Sequence, residues 1–205
     1  MNKRFDGYLP VVIDIETAGV NPLTNALLEI AAINIVINEN NQYTPAETFI
    51  CHVLPFEGSK LDPASLEVTK IDPYHPFRFA IAEDKALEKL FDFTSQALTK
   101  SQCRRALLVG HNAHFDLSFI QAAMKRCKIK KSPFHAFTCF DTATLAGLAY
   151  GKTILAKALK EANIEFDRNK AHSAMYDADR TAILFCDILN RMRFTPKMEN
   201  CPIKE

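Results

Sequence analysis

The run Pro10-Val11-Val12-Ile13-Asp14-Ile15-Glu16 constrains this chain more than any other segment. Its β-branched content predicts a strand, ended by Thr17-Ala18-Gly19. Apolar residues on both faces place that strand in the buried centre of a sheet, yet it carries two carboxylates. Residues i and i+2 share one face about 7 Å apart, so Asp14 and Glu16 repel each other. Each also loses hydration on burial, which costs several kcal/mol per ion unless something positive compensates. No basic residue lies between Arg4 and Lys60 to pair with them locally. A wet edge, a distant basic partner or a functional site would each explain them.

Two more predicted strands follow, over 27–37 and 47–54, separated by the turn-rich Asn38-Glu39-Asn40-Asn41. Three strands joined by short loops suggest an antiparallel meander. The period then changes to helical spacing over 63–71 and 83–98. Ala106-Leu107-Leu108-Val109-Gly110 is a short buried strand, and a helix over 116–127, a strand over 137–140 and helices over 141–149, 154–162 and 174–192 complete the pattern. The order βββ-αα-β-α-β-ααα describes an α/β fold, a mixed sheet with helices on its faces. One domain over 1–193 accounts for it. Residues 194–205, with two prolines and little periodicity, are expected to form a loose tail.

Further carboxylates stand at element boundaries. Gly110-His111-Asn112-Ala113-His114-Phe115-Asp116 lies between a strand and a helix, where ligands gather in α/β folds. Asp116 has the residue type and position of an N-cap, Asn112 suits a fixed turn, and His111 and His114 suit hydrogen-bonding spacers. In Ala171-His172-Ser173-Ala174-Met175-Tyr176-Asp177, five helical positions span 500°, so His172 and Asp177 would diverge by ~140° if both were helical. They meet only if His172 lies in the loop ahead of the helix, with Ser173 as N-cap. Asp177 aligns with Thr181, Leu184 and Ile188, whereas Asp179 points away, and Asp141 reads as an N-cap. Asp14, Glu16, Asp116 and Asp177 together form a hard-oxygen set suited to Mg²⁺, with Mn²⁺ as the substitute. Two such ions clamp the attacking and leaving oxygens of a phosphoryl displacement, and histidine is the residue type suited to taking a proton from water near neutrality. The constellation predicts phosphodiester hydrolysis.

The formal charge of +1 argues against a protein that coats nucleic acid, but it hides a split: residues 1–100 carry net −6 and residues 101–205 net +7. Lys125-Arg126-Cys127-Lys128-Ile129-Lys130-Lys131 and Arg104-Arg105 concentrate the positive charge. Following a helix of about 18 Å, this cluster cannot touch the scissile phosphate of its own site, but could hold phosphates upstream or serve another subunit. No apolar run is long enough to cross a bilayer, and the positive N-terminus has no apolar stretch behind it. The six cysteines show no zinc-type spacing. A cytoplasmic protein with reduced thiols and no membrane contact is expected.

The segments Val12-Ile13-Asp14-Ile15-Glu16-Thr17, 111–116 and 172–177 resemble the three motifs of the DEDD exonuclease superfamily, and the H-x4-D spacing matches its histidine branch. More narrowly, 10–19, 28–33, 140–143 and 171–186 are similar to the ribonuclease T family, and the likeness covers about residues 4–192. The resemblance implies an RNase H-like fold and a homodimeric 3′→5′ exonuclease that releases nucleoside monophosphates from RNA 3′ ends. Its implied partners are tRNA and other small stable RNAs, with single-stranded DNA ends also degraded. By motif, Asp14, Glu16 and Asp177 would hold one of two metal ions, Asp14 with Asp116 the other, and His172 would be the general base. Phe115 and Phe137 match aromatic positions that stack on terminal bases, whereas Val20 and Val68 stand where the family more usually has Phe. Arg4, Arg105 and Lys130, with Lys131 beside them, fall where a basic RNA-binding patch of one subunit would serve the other's site. Asp6 and Thr99 stand where that patch more usually has basic residues. A proofreading DNA exonuclease and a catalytically silent nucleic-acid-binding domain are the competing interpretations at this stage.

Overall fold

Strand β1 (Tyr8–Thr17) is the third of five strands, in the order β3-β2-β1-β4-β5. The computed structural model describes residues 4–192, so the expected tail at 194–205 lies outside the described residues. β2 (Leu27–Ile37) runs antiparallel to β1, and β3 (Tyr43–His52) antiparallel to β2. β4 (Arg105–Gly110) and β5 (Phe134–Asp141) lie parallel to β1 on its other side. The helices are α1 (Pro63–Thr69), α2 (Glu83–Ser101), α3 (His114–Arg126), α4 (Thr142–Tyr150), α5 (Leu155–Glu161) and α6 (Ala174–Arg191). The meander plus two further strands is as the sequence predicts.

The two faces of β1 are divided by residue parity, as a period of 2 requires. Leu9, Val11, Ile13 and Ile15 pack on one side with Ala86, Leu87 and Leu90 of α2 and Phe119 and Ile120 of α3. Val12 faces the opposite way, toward Ala174, Ala178, Ala182 and Phe185 of α6. Asp14 and Glu16 share the parity of Val12 and therefore emerge on the α6 side. Alanines at every fourth position of α6 leave no bulk between helix and sheet, so its first turn approaches the end of β1.

Boundaries differ where local chemistry overrides periodicity. β3 begins at Tyr43, before Pro45, because it is an edge strand and proline is tolerated there. Asp116 is not an N-cap. Helix α3 starts at His114 with Ala113 as its cap residue, and Asp116 sits inside the first turn. Asp141 does cap α4, accepting from the Ala143 N–H at 3.1 Å. Ser173 occupies the N-cap position of α6 but makes no side-chain cap bond.

Candidate active site

Four chain segments converge at the carboxyl end of β1. Asp14 and Glu16 come from the strand itself. β4 pairs with β1 only as far as Val12–Val109, and beyond that point Asp116 Oδ1 accepts the Ile15 N–H at 3.1 Å. A side chain from the first turn of α3 thus continues the ladder where the strand stops. Gly110 makes room for it: a Cβ there would stand 3.1 Å from Asp116 Oδ2 and 3.1 Å from Ala113 Cα. Asn112, in the left-handed region at φ 67°, turns the chain between Gly110 and α3 and donates its N–H to Asp141 Oδ1 at 2.8 Å.

Asp177 arrives from α6. Oxygens of Asp14, Glu16 and Asp177 all lie within 4.8 Å of one another. His172 stands in the loop ahead of the helix, as its spacing to Asp177 requires, and donates its backbone N–H to Asp177 Oδ2 at 2.9 Å. Its φ is +65°, a left-handed conformation uncommon outside glycine, and its side chain is exposed.

The electrostatics are those of acids without a counter-ion. Among the described residues no Lys, Arg or His side chain forms an ion pair within 4.0 Å of any of the four carboxylates. Burial, followed by the charges of Asp116, Glu16, Asp177 and Glu29, holds the Asp14 carboxyl well above its ordinary range. Burial and then Asp177, Glu29 and Asp116 push Glu16 up to about 8. Burial pushes Asp116 to about 8 against the lowering effect of its backbone hydrogen bonds, and burial also raises Asp177. Oxygen donors this close and this poor in protein cations fit hard divalent ions.

The remaining sequence-derived residues divide into those near this centre and those far from it. Phe115 lines a cleft of about 330 Å³ with Glu16, Gly19, Val20, Ala64 and Val68, while its ring packs 4.9 Å from Phe119. Phe137 projects from β5, 83% exposed. Arg105 and Lys130 line one shallow cleft of about 170 Å³, but Arg105 opens β4 whereas Asp116 follows its end. That separates them by about 17 Å along the strand. Lys131 is exposed beside Lys130. Arg4 is tied to the end of α6, donating to Met192 O at 3.0 Å. Within the basic run Arg126 faces inward, gripping Glu83 at 2.7 and 3.0 Å. Asp6 pairs with Arg104 at 3.0 Å. His111 is a spacer, its ring nitrogens 3.0 Å from Thr142 Oγ1 and 2.8 Å from Thr153 O. Asp179 pairs with its neighbour Arg180.

One acid that sequence reasoning left out of the site is present. Glu29, buried on β2, stands opposite Glu16 in the β1–β2 register. Its signal is a carboxylate inside the apolar run Leu27-Leu28-Glu29-Ile30-Ala31.

A mixed sheet of this order, with carboxylates gathered at the end of its central strand and no ion pair to any of them among the described residues, is the arrangement that metal-dependent phosphodiester cleavage requires. The chain matches the RNase T exonuclease family over residues 11–185. It is 53% identical to ribonuclease T of Vibrio cholerae serotype O1 over 94% of its own length and 87% of that protein's, and 52% identical to ribonuclease T of Vibrio vulnificus strain YJ016 over 94% and 89%. The chain belongs to the ribonuclease T family of exonucleases and is a 3′→5′ exoribonuclease. The fold is shared with Escherichia coli exonuclease I in complex with a dT13 oligonucleotide, at a TM-score of 0.68 and 18% identity, over 91% of this chain and 41% of that one. A full-length 3′-exonuclease gives a TM-score of 0.71 at 16% identity, over 90% and 62%.

Proposed function

We propose that this exonuclease trims single-stranded 3′ ends of tRNA and other small stable RNAs in the cytoplasm, releasing nucleoside monophosphates one at a time. The observation that carries the hydrolysis is the convergence of Asp14, Glu16 and Asp177 within 4.8 Å, with Asp116 beside them and no ion pair to any of the four among the described residues. Asp14, Glu16 and Asp177 would hold one divalent ion and Asp14 with Asp116 a second, Mg²⁺ in the first instance with Mn²⁺ able to replace it. Bound there, such ions would supply charge neutralisation at the scissile phosphate and its attacking and leaving oxygens. His172, exposed at the mouth and fixed to Asp177 through its own N–H, takes the proton from the attacking water. Phe115 lines the wall of the cleft for the terminal base, and exposed Phe137 offers a second stacking face. Val20 and Val68 line the same cleft and present aliphatic surface with no ring to stack on a base.

The RNA grip is composed of Arg4, Arg105, Lys130 and Lys131. Arg105 and Lys130 share a surface about a strand's length from the carboxylates, which suits service to the site of a second copy in a homodimer. The pairing of Arg104 with Asp6 withdraws one charge from that surface. Reversing Lys130 and Lys131 to Glu is expected to raise KM for single-stranded RNA several-fold at physiological salt and to change kcat less, because phosphate contacts hold rather than react. An unchanged KM would remove these two lysines from the grip.

The test of the function is a 5′-labelled RNA with a short 3′ overhang, run beside a matched DNA, with and without EDTA. A ladder shortening by single nucleotides, faster on RNA and abolished by EDTA, is the expected result. Intermediate fragments from the outset would indicate an endonuclease, and faster decay of the DNA a proofreading role. No helix among the described residues is long and apolar enough to cross a membrane.

A further inference from the structure

Glu29 is an acid of the site without a place in the chemistry proposed above. It lies across the β1–β2 ladder from Glu16, but it is not one of the three residues whose oxygens crowd within 4.8 Å. Its oxygens face other groups. Oε1 accepts the backbone N–H of Ala174 at 3.1 Å, and His52 Nδ1 on β3 stands 2.9 Å from Oε2. Arg78, held by its bonds to Leu28 O at 2.6 Å and Pro73 O at 2.8 Å, brings a positive charge to the same corner.

Ala174 is the first residue of α6. The opening N–H groups of a helix need acceptors from outside it, and a capping side chain normally supplies one. Ser173 does not. Glu29, from a different layer of the fold, accepts one of these N–H groups instead. The consequence reaches the residues that matter for hydrolysis. His172 and Ser173 precede Ala174 directly, His172 is held in the left-handed region, and its N–H is bound to Asp177. The turn from 172 to 177 is thus tied within itself, by the N–H groups of His172 and Asp177, and from outside at two points: the Asp167 N–H on Tyr176 Oη, and Glu29, the one that holds the start of the helix. A left-handed non-glycine residue persists only where its surroundings over-determine it.

We infer that Glu29 is a positioning residue: by holding the Ala174 N–H against β2, it sets where His172 and Asp177 stand relative to Asp14 and Glu16. This rests on the roles proposed for His172 and Asp177. It concerns the acceptor oxygen and not the charge, because glutamine can offer the same oxygen to Ala174 and an amide N–H toward His52 Nδ1.

The test compares Glu29→Ala and Glu29→Gln in the full-length protein. For Glu29→Ala, kcat on a 5′-labelled single-stranded RNA is expected to fall 10- to 100-fold with KM within about threefold, and the Mn²⁺ concentration for half-maximal rate to rise several-fold. Glu29→Gln is expected to stay within about threefold of the wild type on all three. In the metal-free protein, amide hydrogen exchange at Ala174 is expected to accelerate at least tenfold in Glu29→Ala and to stay near wild type in Glu29→Gln. A core substitution on the other side of the sheet, Leu90→Val, controls for stability alone and is expected to keep kcat at an equal loss of Tm. The inference is overturned if Glu29→Ala keeps kcat within twofold, if Glu29→Gln is as slow as Glu29→Ala, if Ala174 exchange does not change, or if Leu90→Val is equally slow. Failure of the underlying function shows separately, as His172→Ala leaving kcat unchanged, whereas failure of the positioning role shows in the exchange experiment, which needs no substrate.

Discussion

Replacing Asp14 with asparagine is expected to lower the exonuclease rate on the order of 10⁴-fold, about 5 kcal/mol of transition-state stabilisation, while raising the melting temperature of the metal-free protein at pH 8. Both effects follow from one fact. Asp14 stands between Glu16, Asp116 and Asp177, and the proposed ions both depend on it. Its carboxyl is held well above the ordinary range by burial and then by the charges of Asp116, Glu16, Asp177 and Glu29, so ionising it costs folding free energy. An amide keeps the shape and removes the charge, which relieves the repulsion and empties the site of its shared ligand. Sites that hold such repulsion commonly trade stability for activity. Single-turnover rates on labelled RNA and thermal melts in EDTA measure the two halves independently. A rate within tenfold of the wild type would show that Asp14 is not a shared ligand, and a lower melting temperature in EDTA that it is not a source of strain.

The second large effect is on the pH dependence of folding. Glu16 and Asp116 are pushed to about 8, and Asp14 and Asp177 are raised, in each case by burial first. In the unfolded chain these carboxyls titrate near 4. Between pH 4 and pH 8 the metal-free folded state therefore holds protons that the unfolded state has released, and stability must fall as pH rises through that window. The contribution is full below about pH 4 and lost as pH passes about 8. Other groups contribute their own pH dependence, so the comparison is with Asp14→Asn under the same conditions. The metal-free wild type is expected to lose roughly 10 °C in melting temperature between pH 5 and pH 8, and the variant markedly less. Millimolar Mg²⁺ or Mn²⁺ should restore the loss at pH 8 and do little at pH 5, because the ions bind the ionised carboxylates and release protons as they do so. A wild-type profile that rises with pH in EDTA, or metal stabilisation greater at pH 5, would contradict the assignment.

The sheet was legible because β1, β2 and β4 are so apolar that no other element suits them, and because the change from period 2 to period 3.6 after β3 is abrupt. Within the site, Asp14 and Glu16 stood out as charges in a buried strand. The placement of His172 outside α6 followed from helical angles once His172 and Asp177 were to meet in one site, with Ser173 as the N-cap residue. What could not be read was the start of α3. Asp116 has the chemistry of a cap, and only the tertiary partner, the Ile15 N–H left unpaired where β4 ends, shows why it lies inside the first turn. Glu29 was illegible for the same reason. Its partner Ala174 is 145 positions away, and no local pattern announces a carboxylate that serves a helix from the neighbouring layer. The basic run was legible as charge but not as surface, since Arg126 turns inward to Glu83 while Lys130 and Lys131 stay outside.

The carboxylates of the site stand at positions 14, 16, 116 and 177, on the first strand, on α3 and on the last helix of the described chain. None of these elements can assemble the centre without the others, and the last of the three to leave the ribosome is α6, which carries Asp177 and follows His172 directly. A growing chain thus holds Asp14 and Glu16 without the means to cut until α6 follows them. An enzyme that degrades RNA from its ends is born beside a great deal of RNA, and the order of its own elements delays its competence until the segment 172–177 has been made.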